Sequence, residues 1–408
     1  MSKSFFARAW LATGLVLWSL GSAHAESLDE LVQQVWQQHP EVQAAQARVE
    51  AERARLDAAG QPLYNPELVL DLEQASARTS TLGISQTLDW ADKRGARAEL
   101  ARSAMQEAED ALALARQQIL GELLSLLNQY HTARQTAELT RQQSRLLEDF
   151  LDLAQQRFAA GDISQPDVDL ARLSLAEMRM RAAARATERA LAESRLRALV
   201  SEPVEQWPPL PDLPQAIARQ DQEQLLRKHP ALRQLAARLQ AARHAVTLAK
   251  RQRRADPTLA LRGGKEDSDT LLGLTFSMPL NLRNTFRAEV QAAEAEVNQA
   301  RQAYRNAYLR ARAELAAAEA QFRLNRAALD AWQQGGQASL QGRVESLERL
   351  WRSGEISTTD YLVQLGQALD TRIAAAELVG ANWQAWLAWL DAAGQTETWL
   401  GLNEGPAR

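Results

Sequence analysis

The sequence predicts a mainly α-helical protein that contributes a few strands to a small membrane β-barrel. Three observations support this fold class. The segment Leu271–Leu280 alternates apolar with polar residues, which is typical of a strand with one apolar face. The segment Leu82–Leu88 repeats that alternation earlier in the chain, with Leu82 in the place of Leu272. Residues 93–160 contain no helix breaker other than two tolerable glycines, so the helix predicted there is far longer than a globular helix.

The first 25 residues have the composition of a signal peptide. Lys3 and Arg8 supply positive charge, a short apolar run follows, and Ala23-His24-Ala25 fits an A-x-A cleavage site. The apolar run is shorter than the about 20 residues that span a bilayer, so we expect the mature chain to begin near Glu26. The chain has no cysteine, so we expect no disulfide, no thiolate metal site and no lipid anchor.

Residues 26–202 form the first of two predicted repeats. Its elements are bounded by helix breakers or by changes in the period of the apolar residues. In chain order they are a helix at 28–59 interrupted at His39-Pro40, strands at about 66–73 and 81–90, a long helix at 93–160, a glycine turn at 161–164 and a return helix to about 200. The two strands are adjacent in sequence, which predicts an antiparallel hairpin.

A proline-rich linker at 203–220 leads to the second predicted repeat, residues 221–394. The repeat is evident because His229-Pro230 copies His39-Pro40 and Gly354–Ser357 copies Gly161–Ser164. Its elements are a helix that contains His229-Pro230, strands at about 257–264 and 270–280, a long helix from about 284 loosened at Gly335-Gly336 and at Gly342, the glycine turn and a final helix to about 393. Residues 395–408 form a short C-terminal tail.

The four predicted strands have the length of tilted membrane strands, about 9–11 residues. One face of each strand is apolar and would face lipid, and Gln86 is the polar exception. The lipid-facing residues are Leu68, Leu70, Leu72, Leu82, Ile84, Leu88, Leu259, Leu261, Leu272, Leu274, Phe276 and Met278. The opposite face is polar and suits a wet interior. The alternative is two small hairpins that cover a soluble helical core.

Closure of a barrel from these strands requires several copies of the chain. The smallest outer-membrane barrels have about eight strands, so four strands cannot close alone. Two copies would supply eight strands and three copies would supply twelve. An interior wide enough for solutes favours three copies.

Several short segments together resemble a known family. They are the two His-Pro helix entries, the run Gly83–Glu99, and the turns Arg157–Gly161 and Leu350–Gly354. With the twofold repeat, they make the chain resemble the TolC family of bacterial outer-membrane efflux channels over essentially its whole mature length. Ile84–Trp90 followed by Lys93–Arg97 is most similar to the heavy-metal branch, which contains the channels of cobalt–zinc–cadmium resistance systems.

The resemblance implies a homotrimer whose strands form a 12-stranded β-barrel in outer-membrane lipid, on a long α-helical barrel that extends through the periplasm. It implies two protein partners, a periplasmic adaptor (membrane fusion) protein and a proton-driven inner-membrane pump. The chain would be a passive conduit, with heavy-metal cations as its substrates. It would need no cofactor and catalyse no reaction.

The resemblance also assigns roles to residues at the two glycine turns. The turns would be the periplasmic tips that contact the adaptor. The contact residues would be Arg157, Phe158, Gly161, Ile163, Ser164, Trp351, Arg352, Gly354, Ile356 and Ser357. Asp360 matches an aspartate that forms a constricting ring in some members, whereas the next such position falls near Val363, which is not acidic.

Asp360 and Asp167 are therefore the candidate gate residues. A ring of carboxylates would attract cations at a constriction. Each aspartate also lies in the first turn of a predicted helix, where a carboxylate stabilises the positive end of the helix dipole. The cap is the favoured interpretation for Asp167, and the two roles are evenly balanced for Asp360.

Motifs for other classes of function are missing from the sequence. It contains no P-loop, no HExxH and no GxSxG, and we expect no catalytic residue and no metal site. His39 and His229 precede prolines, which predicts a local structural role, and the tryptophans are expected to pack between helices. The net charge of −4 argues against a nucleic-acid partner.

Other functions stay open at this point. A periplasmic adaptor also has a signal peptide and a long helical hairpin, but usually one hairpin flanked by β domains. A coiled-coil scaffold would have no reason for four alternating strands. Within the channel class, drugs or proteins of type I secretion are alternative substrates.

Overall fold

A computed structural model of the protein describes residues 27–74, 78–200 and 203–402. The predicted signal peptide and the last six residues of the predicted tail, 403–408, lie outside the described residues. The fold is mainly helical with one small antiparallel sheet, as predicted. No described helix is long and apolar enough to cross a membrane.

The described residues of the first half form four helices and a hairpin of two strands. The His39-Pro40 junction splits the first predicted helix in two. The elements are α1 (Leu28–Gln38), α2 (Pro40–Gly60), β1 (Glu67–Gln74), β2 (Arg78–Thr87), α3 (Lys93–Ala160) and α4 (Gln165–Leu199).

The second half repeats this order after the linker. Its long helix is divided by one π-helical turn, Trp332–Gly336, at the glycine pair where loosening was predicted. The elements are α5 (Gln222–Lys228), α6 (Pro230–Gln252), β3 (Thr258–Glu266), β4 (Asp269–Ser277), α7 (Arg287–Ala331), α8 (Gln337–Arg352), α9 (Thr358–Ala393) and the short α10 (Thr396–Trp399).

The two repeat-equivalent histidines cap helices. The ring Nδ1 of His39 accepts a hydrogen bond from the N–H of Glu41 at 3.3 Å, and that of His229 accepts from Ala231 at 3.2 Å. In both cases the following proline occupies the first helical position, where no N–H is needed. The predicted local structural role of both histidines is confirmed.

The four strands form one sheet in the order β1-β2-β3-β4, with every neighbouring pair antiparallel. The pairing of β2 with β3 joins the two repeats in a single sheet. Three predicted strand bounds were wrong by three residues, and the first is the start of β2, which lies at Arg78 rather than at residue 81. Strand β2 ends at Thr87 rather than Trp90, because the Asp89 carboxylate caps α3, and β4 ends at Ser277, just before Pro279. Leu88 and Met278, both predicted as lipid-facing strand residues, therefore lie outside the strands.

The main apolar core lies around the middle of α3. This helix packs against α2, α4, α6 and α9, so it connects both repeats. Trp36, Trp383, Trp386 and Trp389 are all buried here, which confirms their predicted packing between helices. Other fully buried members are Leu31, Leu120, Leu123, Leu124, Leu127, Leu196, Leu226, Leu315 and Leu390.

Candidate functional site

Two features of the fold are candidates for function, the tips of the helical hairpins and the exposed sheet. The first tip, residues 157–167, joins α3 to α4, and the second tip, residues 350–360, joins α8 to α9. The two tips are brought together by a second apolar cluster of α3, α4, α8 and α9, which is separate from the main core.

Both tips end their incoming helix with the same backbone motif. The N–H of the glycine donates to the carbonyl three residues before it, and the next N–H donates to the carbonyl five residues before. These distances are 2.9 and 2.9 Å at Gly161, and 3.0 and 2.9 Å at Gly354. The glycines have φ of 85° and 77°, a left-handed conformation that favours glycine.

Both outgoing helices begin with a serine and an aspartate three residues later. The N–H and hydroxyl of Ser164 donate to Oδ2 of Asp167, at 3.0 and 2.5 Å. The hydroxyl of Ser357 donates to Oδ2 of Asp360 at 2.7 Å and accepts from the Asp360 N–H at 3.1 Å. Asp167 therefore takes part in the cap of α4 through its carboxylate, whereas Ser357 caps α9 and its hydroxyl also holds the Asp360 carboxylate. Both aspartates lie in the first turn of their helices, as the capping interpretation predicts. A gate role for either residue is untested by these contacts and stays a prediction.

The cap also shifts the pKa of Asp167, the aspartate of the first tip. Hydrogen bonds from the Ser164 hydroxyl and then from its backbone N–H lower the pKa of Asp167 below its ordinary value, because they stabilise the charged form. A smaller contribution in the same direction comes from Thr358, which belongs to the second tip. The Asp167 carboxylate thus interacts with both tips.

Three stacked aromatic rings support the tips from inside. The ring centroid of Phe150 lies 4.6 Å from that of Trp351 and 4.8 Å from that of Tyr361, and the last two lie 5.5 Å apart. The indole N–H of Trp351 donates to the Thr358 hydroxyl at 3.3 Å. Burial raises the pKa of Tyr361 to about 12, so its hydroxyl stays protonated.

Arg157 links the first tip to the second. Its Nη1 donates to the backbone carbonyl of Trp351 at 3.0 Å, and its guanidinium lies over the Trp351 ring, 4.9 Å from the centroid. A guanidinium over an indole face is a favourable cation–π arrangement. The structure therefore brings the two predicted tips into one unit.

The predicted contact residues differ in their exposure. Trp351 is only 2% exposed, so its side chain packs inside the tip and is not on the surface of this protomer. Its repeat equivalent Phe158 is 42% exposed. Arg157, Ile163 and Ile356 are partly buried, and the remaining predicted contact residues are exposed, namely Gly161, Ser164, Arg352, Gly354 and Ser357.

The sheet presents the predicted apolar rows on one exposed face. Leu68, Ile84, Leu261 and Leu274 are in register across all four strands and are 77, 53, 53 and 77% exposed. Five neighbouring positions on that face are also apolar and exposed, namely Leu70, Leu82, Leu259, Leu272 and Phe276, and Gln86 is the polar exception. Met278 is 37% exposed and follows the last strand. Such a contiguous apolar patch marks an interaction surface.

A polar cluster at the junction of sheet and helices was missed by the sequence analysis. Asp256 is 6% exposed and accepts from the Tyr64 hydroxyl at 2.7 Å and from the Lys93 ammonium at 2.8 Å. It connects the second repeat to the first. The available signal was Asp256-Pro257, which stands where the first repeat has Asn65-Pro66.

The described residues contain no group of three or more His, Asp or Glu side chains that is arranged to hold a metal ion. His131 and His229 instead contact backbone carbonyls. The ring Nε2 of His131 lies 2.8 Å from the carbonyl of Pro208, and that of His229 lies 3.0 Å from the carbonyl of Asp391.

Duplicated helical hairpins, joined to one sheet with an apolar outer face, define the TolC-like channel fold. Solved structures with this fold match the chain closely. The transmembrane channel CusC matches with a TM-score of 0.74 at 17% identity, over 90% of this chain and 91% of that chain. VceC from Vibrio cholerae matches with a TM-score of 0.73 at 19% sequence identity, over 90% of this chain and 95% of that chain. The CmeC channel of Campylobacter jejuni matches with a TM-score of 0.73 at 15% sequence identity, over 96% of this chain and 94% of that chain.

The family is shown by sequence. The profile of the family described as outer membrane efflux protein matches residues 31–202 and 222–395. The chain therefore belongs to this family. The two matched segments correspond to the two repeats. No curated protein matches the sequence.

The family and the solved channels agree on location and general class. The protein is an outer-membrane efflux channel component that extends into the periplasm. Membership of this family favours the channel interpretation over the two alternatives left open by the sequence, a periplasmic adaptor and a coiled-coil scaffold. The TM-scores of CusC, VceC and CmeC are nearly equal, so they do not single out the heavy-metal branch.

Proposed function

We propose that three copies of this chain form the passive outer-membrane conduit of a tripartite efflux system. One observation supports the proposal most directly, namely the apolar row of Leu68, Ile84, Leu261 and Leu274 across an otherwise uncovered sheet. A sheet with one apolar and one polar face separates lipid from water only when it closes on itself. Three copies of four strands give twelve, which leaves a wet interior.

The open edges of the sheet provide the means of closure. Strand β1 pairs only with β2, and β4 pairs only with β3, within the described residues. Each copy can therefore offer its β1 edge to the β4 edge of the next. Repetition of this head-to-tail contact three times closes a ring without new kinds of interface.

The tips are the proposed docking site for the partner proteins. We assign the exposed tip residues, with Phe158 and Arg352 as the largest side chains, to contact with a periplasmic adaptor. The adaptor would couple the channel to a proton-driven inner-membrane pump. The rigid connection of the tips through Arg157 and Trp351 supports this role, since a preorganised surface loses less entropy on binding.

Heavy-metal cations are the proposed substrates. The resemblance of Ile84–Arg97 to the heavy-metal branch supports this choice, as does the acidic character of the polar face of the sheet. That face carries Glu67, Asp71, Glu73, Glu266 and Asp269, against one basic residue. A negative lumen attracts cations.

The first test is the mass of the purified protein in detergent together with its conductance in a planar bilayer. We expect a trimer with discrete conductance steps. Asp360→Asn keeps an oxygen that can accept from the Ser357 hydroxyl but removes the charge, so it should change conductance if Asp360 forms the constriction. Asp167→Asn removes the charge at the equivalent position of the first tip, and it should leave the conductance unchanged if Asp167 serves only its helix cap, the favoured interpretation of this residue. A monomer without conductance would overturn the channel proposal.

The substrate is tested separately in the native host. Deletion of the gene should sensitise cells to cobalt, zinc or cadmium salts, and the intact gene should restore resistance. Sensitivity to organic drugs alone would assign the channel to drug efflux. Loss of a secreted protein with unchanged metal and drug tolerance would assign it to type I secretion.

A further inference from the structure

Arg262 is the one basic residue on the polar face of the four described strands. It lies in the middle register row of that face, with Val69, Gly83 and Gly273 at the paired positions. The other basic residues of the strands, Arg78 and Lys265, lie on the opposite face by the alternation of the pleat. Arg262 is exposed, so its charge is available to the solvent on that side.

The neighbours of Arg262 do not neutralise it. The diagonal positions on its own face of the adjacent strands are Thr81, Ser85, Leu271 and Thr275, none of which is charged. Arg262 makes no hydrogen bond and no ion pair with another described side chain. An unpaired guanidinium at the centre of a wet face is therefore not explained by the stability of the sheet.

Two glycines make room for this side chain. A Cβ at Gly273 would lie 3.0 Å from Nε and 3.2 Å from Cγ of Arg262, and a Cβ at Gly83 would lie 2.9 Å from its Cβ. The arginine therefore lies against the surface of the sheet over Gly273 and does not extend straight away from it. This placement fixes the position of its positive charge along the strand direction, at the middle of the sheet.

The acidic residues of the same face lie in other rows. Glu73, Glu266 and Asp269 share the row next to the strand-connecting loops, and Asp71 and Glu67 flank the central row on β1. The charges along the lumen therefore change sign, from acidic at the loop end to basic at the centre. In this order, the central row repels cations and offers a weak binding position for anions.

We propose that Arg262 is a selectivity-determining residue of the channel, and that three copies form a basic ring that limits the preference for cations set by the acidic rows. This inference depends on the proposed trimeric channel. The basic ring would lie within the sheet, so its effect is separate from that of any constriction at the tips.

The size of the effect follows from Coulomb's law. The lumen of a twelve-stranded barrel places the three charges roughly 10 Å from its axis. In water, with a Debye length of about 10 Å at 0.1 M salt, their removal should raise the ratio of cation to anion permeability about two- to fivefold. The change should shrink at 1 M salt, where screening is stronger.

The test is the reversal potential of the channel in a planar bilayer under a potassium chloride gradient. Arg262→Gln should shift it toward cation selectivity, Arg262→Glu should shift it further, and Arg262→Lys should keep the value of the unaltered protein. Lys265→Gln is the matched control, because it removes the same charge from the same strand on the opposite face. It should leave the reversal potential unchanged.

The outcomes separate this inference from the proposed function. Conducting trimers of Arg262→Gln with an unaltered reversal potential would overturn the inference and leave the channel intact. An equal shift in Lys265→Gln would also overturn it, since the effect would then be one of net charge alone. Failure of the unaltered protein to conduct would overturn the proposed function, and the inference with it.

Discussion

At the scale of single residues, the two tips are equal in backbone and unequal in side chains. Phe158 and Trp351 occupy equivalent positions, yet Phe158 is 42% exposed and Trp351 is 2% exposed. The difference arises because Arg157 covers the Trp351 ring, Tyr361 stacks on it and Phe150 packs against it at a tilt. Trp351 of the second tip is therefore the buried residue that holds the two tips together, and Phe158 of the first tip is the apolar residue on their surface.

Trp351→Ala should loosen both tips. Loss of a buried indole costs about 3–5 kcal/mol in a core, because transfer free energy and packing are lost together. It would also remove the cation–π partner of Arg157. Limited proteolysis should show faster cleavage at residues 157–167 and 350–360, and calorimetry should show a lower melting temperature.

Phe158→Ala is the control for this experiment. It removes an aromatic residue from the equivalent position, but one that is 42% exposed rather than buried, so proteolysis should change little. Equal cleavage of the two variants would contradict the assignment of Trp351 as the buried residue that holds the two tips together.

At the scale of elements, the sheet depends on close contact between β2 and β3. A Cβ on Gly264 would lie 2.0 Å from the backbone oxygen of Ser80, whereas a Cβ on the adjacent Gly263 would meet nothing closer than 3.8 Å. Backbone cannot move aside as a flexible side chain can. Only one of these two neighbouring glycines is therefore required for the pairing that joins the repeats.

Gly264→Ala should disrupt the pairing of β2 with β3, and Gly263→Ala should not. The expected result is a lower yield of heat-modifiable trimer for Gly264→Ala, measured by electrophoresis of outer-membrane extracts with and without boiling. Gly263→Ala should give the yield of the unaltered protein. A normal trimer yield from Gly264→Ala would show that the two strands are farther apart than described here.

The elements themselves were largely predictable from sequence. Helix α3 has the predicted bounds because its ends are marked by local signals, a capping aspartate and a left-handed glycine. The ends of β2 and β4 were less predictable, since apolar alternation continues beyond the hydrogen-bonded ladder. The joining of β2 to β3 depends on contacts between distant residues, which the pattern within one strand does not report.

The candidate site was predictable in position more than in detail. Glycine turns and serine–aspartate caps are local motifs, so the tips were found from the sequence. The burial of Trp351 and the role of Asp256 depend on neighbours from the other repeat. No spacing within the sequence indicates these contacts.

At the scale of the whole molecule, the sheet divides the environment into two. Leu274 is 77% exposed on the apolar face, and the next residue, Thr275, is exposed on the polar face. In the proposed channel, the same substitution at these adjacent positions would meet lipid in one case and water in the other. This pair gives a direct test of which face contacts the membrane.

Leu274→Arg should impair membrane insertion, and Thr275→Arg should not. An arginine on the lipid face of a barrel costs about 2–4 kcal/mol near the middle of the bilayer, and three copies repeat the cost in each trimer. The amount of trimer in the outer-membrane fraction measures the effect. Equal amounts for the two variants would mean that the apolar face does not contact lipid.

The unpaired edges of β1 and β4 also determine how the protein must be produced. In the assembly proposed above, a newly exported chain carries an apolar sheet and two free edges until it meets other copies, and free edges promote pairing with the wrong strand. Before assembly, each chain is therefore a substrate for periplasmic chaperones and proteases. The number of channels per cell then depends on the rate at which newly exported chains find one another, and overproduction increases aggregates as well as channels.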